Sequence, residues 1–236
     1  GYGNSIRKVM EQKDRYKGIV GVVADIIRTQ KQYETAIETA LGGTIQNIVT
    51  DNEETAKGLI AFLKQNKFGR ATFLPLSAIS GRDIRVDSSL TMENGAVGFA
   101  NQLVECDSEF TELARYLLGR ILVVDNIDNA LAIARRHNHS LRIVTLEGDM
   151  LSPGGSMSGG AFKNSSNLLG RRREIEELEA SVSVKEAELK KSEEQLTAAR
   201  EQIGALRTEI EQIKAEIQDK QLAENTAAMN FDTASK

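Results

Sequence analysis

Cysteine is almost missing from this sequence. Cys106 stands alone, which excludes an intrachain disulfide framework and fits a reducing cytosol. Histidine is as scarce: His137 and His139 are the only two. With one distant cysteine they make a poor metal-ligand set, whereas their place at the end of an expected helix suits its dipole, so no metal is expected. Long hydrophobic runs are lacking too. The longest, Gly18 to Ala24, falls far short of a membrane span and has no signal-peptide flanks, so the expectation is a soluble cytoplasmic chain with no membrane partner. Charge of one sign does not dominate either. The formal net charge is -4, with 19 basic and 19 acidic residues in 1–170 and 11 against 15 in 171–236. Any nucleic-acid contact must then come from a local patch and be weak and salt-sensitive.

Nucleotide-handling and catalytic signatures are absent as well. Ser158-Gly159-Gly160 echoes the centre of the ABC-ATPase signature Leu-Ser-Gly-Gly-Gln, but Met157 and Ala161 replace its ends. There is no G-x-x-x-x-G-K-[ST] loop and no Gly-Lys pair, so the lysine and amide cradle for phosphates is missing and no cofactor is expected in this chain. Asp51 and Asp125 could be imagined as an acid–base pair. Their matching positions in two similar stretches are better explained as helix caps.

What is present divides the chain in two. All aromatic residues except Phe231 precede Leu168, and from Arg171 onward the sequence is mostly Glu, Lys, Arg, Ala, Leu and Ile, the composition of a long exposed helix. Before that point, Asn4 to Lys17 reads as a short helix and Ile19 to Ala24 as a buried strand. Tyr33, Ala36, Ile37, Ala40 and Leu41 then mark one helix face, closed by Gly42 and Gly43.

A repeat follows. Val49-Thr-Asp-Asn-Glu-Glu-Thr-Ala56 aligns with Val123-Val-Asp-Asn-Ile-Asp-Asn-Ala130, each after a Leu-Gly pair and an aliphatic stretch. Each copy reads as strand, cap and helix, with Asp51 and Asp125 at the N-cap and Glu54 and Asp128 three residues on. The helix stripes are Ala56-Leu59-Ile60-Leu63 and Ile127-Ala130-Leu131-Ala134, and further strands are expected at Arg70 to Leu74 and Arg142 to Leu146. Two related β-α-β units favour an α/β (α+β) domain with two lobes, the first about 18–76, a connection about 77–104, and the second about 105–165. Gly154, Gly155, Gly159 and Gly160 close the second lobe, four glycines in seven residues that let the backbone approach something closely.

From Ile175 a strict 3-4 repeat begins. The a positions are Ile175, Val182, Leu189, Leu196, Ile203, Ile210 and Ile217; Leu178, Leu206 and Ile213 are among the d positions, and eleven of the thirteen seam positions are apolar. This is a coiled-coil arm over 171–222, roughly 78 Å long at 1.5 Å per residue, with 223–236 as its tail or continuation. Only a stub, 1–17, precedes the globule. Arg171, Arg172 and Arg173, with Lys163 upstream, form the densest basic cluster and oppose the dipole of the helix they begin, which favours a functional reason such as DNA contact.

Taken together, Gly18-Ile-Val-Gly-Val-Val-Ala-Asp-Ile-Ile27, Tyr33-x-x-Ala-Ile-Glu-x-Ala-Leu-Gly42, Gly69-Arg-Ala-Thr-Phe-Leu-Pro-Leu76, Gly154-Gly-Ser-Met-Ser-Gly-Gly160 and Leu169-Gly-Arg-Arg-Arg-Glu174 resemble the hinge domains of SMC (structural maintenance of chromosomes) proteins, above all bacterial ones. The resemblance covers about residues 16 to 175, with the hinge itself at 18–170. It implies a homodimer in which lobe one of each subunit meets lobe two of the other, with Gly154, Gly155, Gly159 and Gly160 at the joint. It further implies a parent ATPase that uses ATP and Mg in heads absent from this sequence. Those heads would carry accessory kleisin-type subunits, and the whole would lie on the nucleoid and hold DNA for chromosome condensation and segregation. The competing reading is an α/β enzyme or ligand-binding domain fused to an oligomerising coiled coil. A plain filament scaffold fits poorly, because the globule interrupts the heptads.

Overall fold

The computed structural model describes residues 2–79, 86–160 and 168–235. Helix α1 (Asn4–Met10) buries Ile6 and Val9. It is shorter than the expected Asn4 to Lys17, because the chain continues from Gln12 in hydrogen-bonded turns. Strand β1 (Ile19–Val22) stops before Ala24, where one helical turn, α2 (Val23–Ile26), takes over. There follow β2 (Arg28–Thr29), α3 (Glu34–Leu41), β3 (Ile48–Thr50), α4 (Glu53–Gln65), β4 (Phe73–Pro75) and α5 (Leu76–Ile79). Gly42, at φ +51, ends α3 in a conformation that few other residues adopt cheaply.

The expected connection 77–104 holds an element that sequence reasoning missed, β5 (Ala96–Phe99). Beyond it lie β6 (Val104–Glu105), α6 (Thr111–Leu118), β7 (Ile121–Val124), α7 (Ile127–Arg136), β8 (Arg142–Thr145), β9 (Met150–Leu151), β10 (Met157–Ser158) and α8 (Leu168–Ala234).

With β5 in place the internal repeat is longer than the sequence suggested. In lobe one β1 runs antiparallel to β3 with a bulge, and β3 runs parallel to β4. In lobe two β5 runs antiparallel to β7, again with a bulge, and β7 runs parallel to β8. The correspondence reaches single hydrogen bonds: Asp51 N–H donates to the Gly18 carbonyl, and Asp125 N–H to the Gly95 carbonyl, each at 2.9 Å. The short strands β2 and β6, which occupy matching places, pair with one another and join the lobes.

The helix caps lie one residue later than expected. Asn52 and Asn126 are the N-caps, accepting from the backbone N–H of Thr55 (3.0 Å) and Asn129 (2.9 Å). Asp51 and Asp125 brace them from outside, accepting from Asn52 N–H at 2.7 Å and Asn126 N–H at 2.6 Å. Either residue of an Asp-Asn pair can cap, and the strand's last bond to Gly18 or Gly95 decides which one does. On α4 the buried face is Ala56, Leu59 and Leu63, with Ile60 turned outward, and on α7 it is Ala130, Ile133 and Ala134. Each fully buried leucine or isoleucine among them contributes about 1.5–3 kcal/mol.

Lobe two carries one addition. After β8 the chain forms the hairpin β9–β10, giving a five-stranded sheet ordered β10-β9-β8-β7-β5, against β1-β3-β4 in lobe one. Residues 1–175 and 176–236 form two separate compact units. The second is continuous helix, in which every residue from Glu176 to Ser235 is exposed.

Candidate functional site

Among the described residues the glycine cluster builds the outer edge of the lobe-two sheet. Gly154 (φ +89) and Gly155 (φ +94) form the turn between β9 and β10, anchored where Gly154 N–H donates to the His139 carbonyl at 2.8 Å. Ser152 N–H donates to the Ser156 carbonyl and the register is Met157 to Leu151, so the peptide groups of Met157 face away from β9. Met157 is 53% exposed. A Cβ on Gly154 or Gly160 would meet nothing within 4 Å, whereas one on Gly159 would collide with the Asp149 carboxylate of its own chain. Gly159 therefore has an intrachain reason for being glycine.

Among the described residues β4 likewise has no strand on its outer side. Ile48 N–H donates to the Thr72 carbonyl in the parallel β3–β4 pair, which leaves the N–H and C=O of Phe73 on the outer side of β4.

The arginine cluster is used within the chain. Helix α8 begins at Leu168, three residues before the expected start, and the buried Glu38 accepts from Leu169 N–H at 2.8 Å. Arg173 Nε sits 2.6 Å from Glu34, whose side chain is 7% exposed. Arg172 donates to the Asp25 carbonyl oxygen and lies 3.7 Å from its carboxylate, and Tyr2 donates its hydroxyl to the same carboxylate at 2.6 Å. For Arg172 and Arg173 the conflict with the helix dipole is thus answered by carboxylates of lobe one, and both are committed to intrachain partners. Lys163 lies outside the described residues. Burial, foremost, pushes the Glu38 carboxyl up, while the Leu169 and Leu168 N–H groups pull it back. Desolvation and the bond to Asp25 raise Tyr2. None of Asp25, Glu34 and Glu38 was singled out from sequence, because their partners lie far along the chain and charged helix positions read as solvated.

His137 Nε2 lies 2.8 Å from Glu93, which Arg136 also engages at 2.5 Å. His137 first and Arg136 second hold the Glu93 carboxyl below its usual range. Among the described residues no His, Cys, Asp and Glu group could hold a metal ion. Burial pushes the Cys106 thiol up. Along α8 the seam residues Ile175, Leu178, Val182, Leu189, Leu196, Ile203, Leu206, Ile210, Ile213 and Ile217 are each about half exposed, between 48% at Ile213 and 60% at Leu189.

Residues 16–134 match the family model for the SMC proteins flexible hinge domain. The chain belongs to this family. The hinge is 43% identical over 189 residues to the chromosome partition protein Smc of Bacillus subtilis, covering 79% of this chain and 16% of that protein. It is 44% identical over 183 residues to the one from Clostridium kluyveri, covering 75% and 15%. It therefore spans about one-sixth of these relatives. Among solved structures, an asymmetric dimer of the Geobacillus stearothermophilus SMC hinge domain superposes with a TM-score of 0.70 at 39% identity, covering 78% of this chain and 74% of that one. The Pyrococcus furiosus SMC hinge domain gives 0.56 at 32%, covering 70% and 87%. An enzyme fused to a coiled coil is not favoured.

Proposed function

We propose that this hinge dimerises a chromosome-partition SMC protein, and that the joint is a strand pairing between β10 of one subunit and β4 of its partner. The observation that carries the reading is the pair of open edges. Met157 offers an outward N–H and C=O, Phe73 offers the same, and an unpaired edge is a template for another strand. A twofold arrangement makes the joint twice, lobe two to lobe one each time, which closes a ring. The exposed seam of α8 suits a partner helix in the parent protein. That parent acts as an ATPase through heads with ATP and Mg outside this chain, carries kleisin-type subunits there, works on the nucleoid in the cytoplasm, and holds DNA for condensation and segregation. Contact of the hinge itself with DNA is weak and sequence-independent, and Arg171, the most exposed of the three arginines, contributes more than Arg172 or Arg173.

Sedimentation at several concentrations tests the joint. Met157→Pro removes the outward N–H without touching the β9 ladder and is expected to give a monomer with unchanged helical circular dichroism, while Met157→Ala stays dimeric. A proline variant as dimeric as wild type would refute the strand pairing. A wild-type chain that is monomeric at tens of micromolar would refute dimerisation through this domain.

A further inference from the structure

A groove of about 560 Å3 opens at the N-terminal ends of β7 and β8, bordered on one side by Pro153 of the β9–β10 turn. Its volume lies within the roughly 300–1,000 Å3 of small-ligand sites. The floor is apolar and belongs to the core: Leu90, Phe99 and Ile121 line it, each at most 4% exposed. The rim is different. Tyr116, 39% exposed, stands on it beside Arg120 and Arg142. The parallel register sets Ile121 opposite Arg142, so the two arginines leave the same end of neighbouring strands.

Arg115 of α6 finds Glu112 at 3.7 Å, but neither Arg120 nor Arg142 has an acidic partner within 4 Å among the described residues. One carboxylate, Asp87, also reaches the groove. Its Oδ1 is taken by the N–H (2.9 Å) and hydroxyl (2.6 Å) of Ser89, bonds that hold the carboxyl below its usual range and leave Oδ2 as an acceptor.

An aromatic face, an apolar floor, two forked cations and one acceptor match the parts of a phosphorylated nucleoside. We propose that this groove binds a nucleotide. The base stacks on Tyr116 over the apolar floor, the phosphate meets Arg120 and Arg142, and a sugar hydroxyl donates to Asp87. Stacking on a π-face tolerates any base, and the arginine fork suits phosphate oxygens. A free nucleotide and one unit of a single strand present this same chemistry. Neither Met157 nor Phe73, the residues of the proposed strand pairing, lines the groove, so the two proposals are tested separately.

The experiment titrates the full chain with AMP and, separately, with a ten-residue oligothymidylate, followed by tyrosine fluorescence and calorimetry at low salt. Binding of AMP assigns the groove to free nucleotides, and binding of the oligonucleotide alone assigns it to single strands. In either case Arg120→Glu with Arg142→Glu is expected to weaken binding at least tenfold, and Tyr116→Ala several-fold, with Tyr116→Phe restoring it. These positions are exposed, so sedimentation and thermal melting should match wild type and certify the fold. No binding of either probe at millimolar concentration overturns the proposal. So does binding that the charge-reversed and Tyr116→Ala variants leave unchanged, or duplex DNA competing as well as the single strand, since stacking would then play no part.

Discussion

Lobe one and lobe two share a plan of an antiparallel strand, a strand, a capped helix and a parallel strand, yet their outer ends differ. Lobe one stops at β4, while lobe two adds the hairpin β9–β10. The addition makes the two edges unlike, and unlike edges are what a lobe-to-lobe joint needs. If both lobes ended alike, any edge could pair with any other, and chains could add without closing. In the proposed joint, this difference of a few residues gives a duplicated fold two distinct edges.

The largest effect expected from testing the repeat concerns its equivalent glycines. A Cβ at Gly18 would strike the side chains of Asp51 and Thr55, and one at Gly95 those of Asp125 and Asn129, but only Gly95 also has a positive φ, +82. Gly95→Ala should cost about 3 kcal/mol and Gly18→Ala about 1–2 kcal/mol in chemical denaturation, because strain adds to the disturbed hydrogen bonds only at the former. Equal losses would mean that the lobes relax alike and the conformational difference is immaterial.

Smaller, and expected to be the same in both lobes, is the effect of uncapping. Asn52→Ala and Asn126→Ala should each lose about 1 kcal/mol. If Asp51→Ala or Asp125→Ala proved costlier than its asparagine neighbour, the caps would sit where the sequence alone puts them.

The smallest effect separates the lobes by charge, since Glu38 belongs to lobe one and the corresponding helix α6 has no such buried carboxylate. Glu38→Gln keeps an oxygen for Leu169 N–H and removes a buried charge, so stability near neutral pH should change little. The folded pKa is raised above the ordinary 4.5. Wild type should therefore gain on the variant as pH falls from neutral through that raised value, hold the gain below 4.5, and lose it as pH rises again. Thermal melts at about pH 7 and about pH 5 read the sign, and a gap that widens against wild type on acidification would refute the burial of this charge.

Much of this was legible in the sequence, and the failures have physical causes. The heptads of α8 and the two strand–helix units repeat over many residues, so single exceptions such as Ser192 or Ile60 do not hide them. Strand β5 escaped because Ala96-Val-Gly-Phe99 is short, carries a glycine and bulges. Strands β2 and β6 are two residues each and are defined by one another across the lobes. The glycine cluster stood out by composition. The carboxylates that hold Arg172 and Arg173 did not, because Glu34 and Arg173 lie 139 residues apart.

That long-range clasp bears on how the arm comes into being. A helix is hard to start and easy to extend, with a nucleation penalty of order 10⁻³, and three successive arginines make a poor beginning. Glu38 at Leu169 and Glu34 at Arg173 hold the first two turns of α8 from a lobe that must already be folded. The 67-residue helix therefore inherits its nucleus from the globule and extends along the chain towards Ala234. Amide exchange should be slowest near Leu169 and quicken towards Ala234, like a fuse lit at one end.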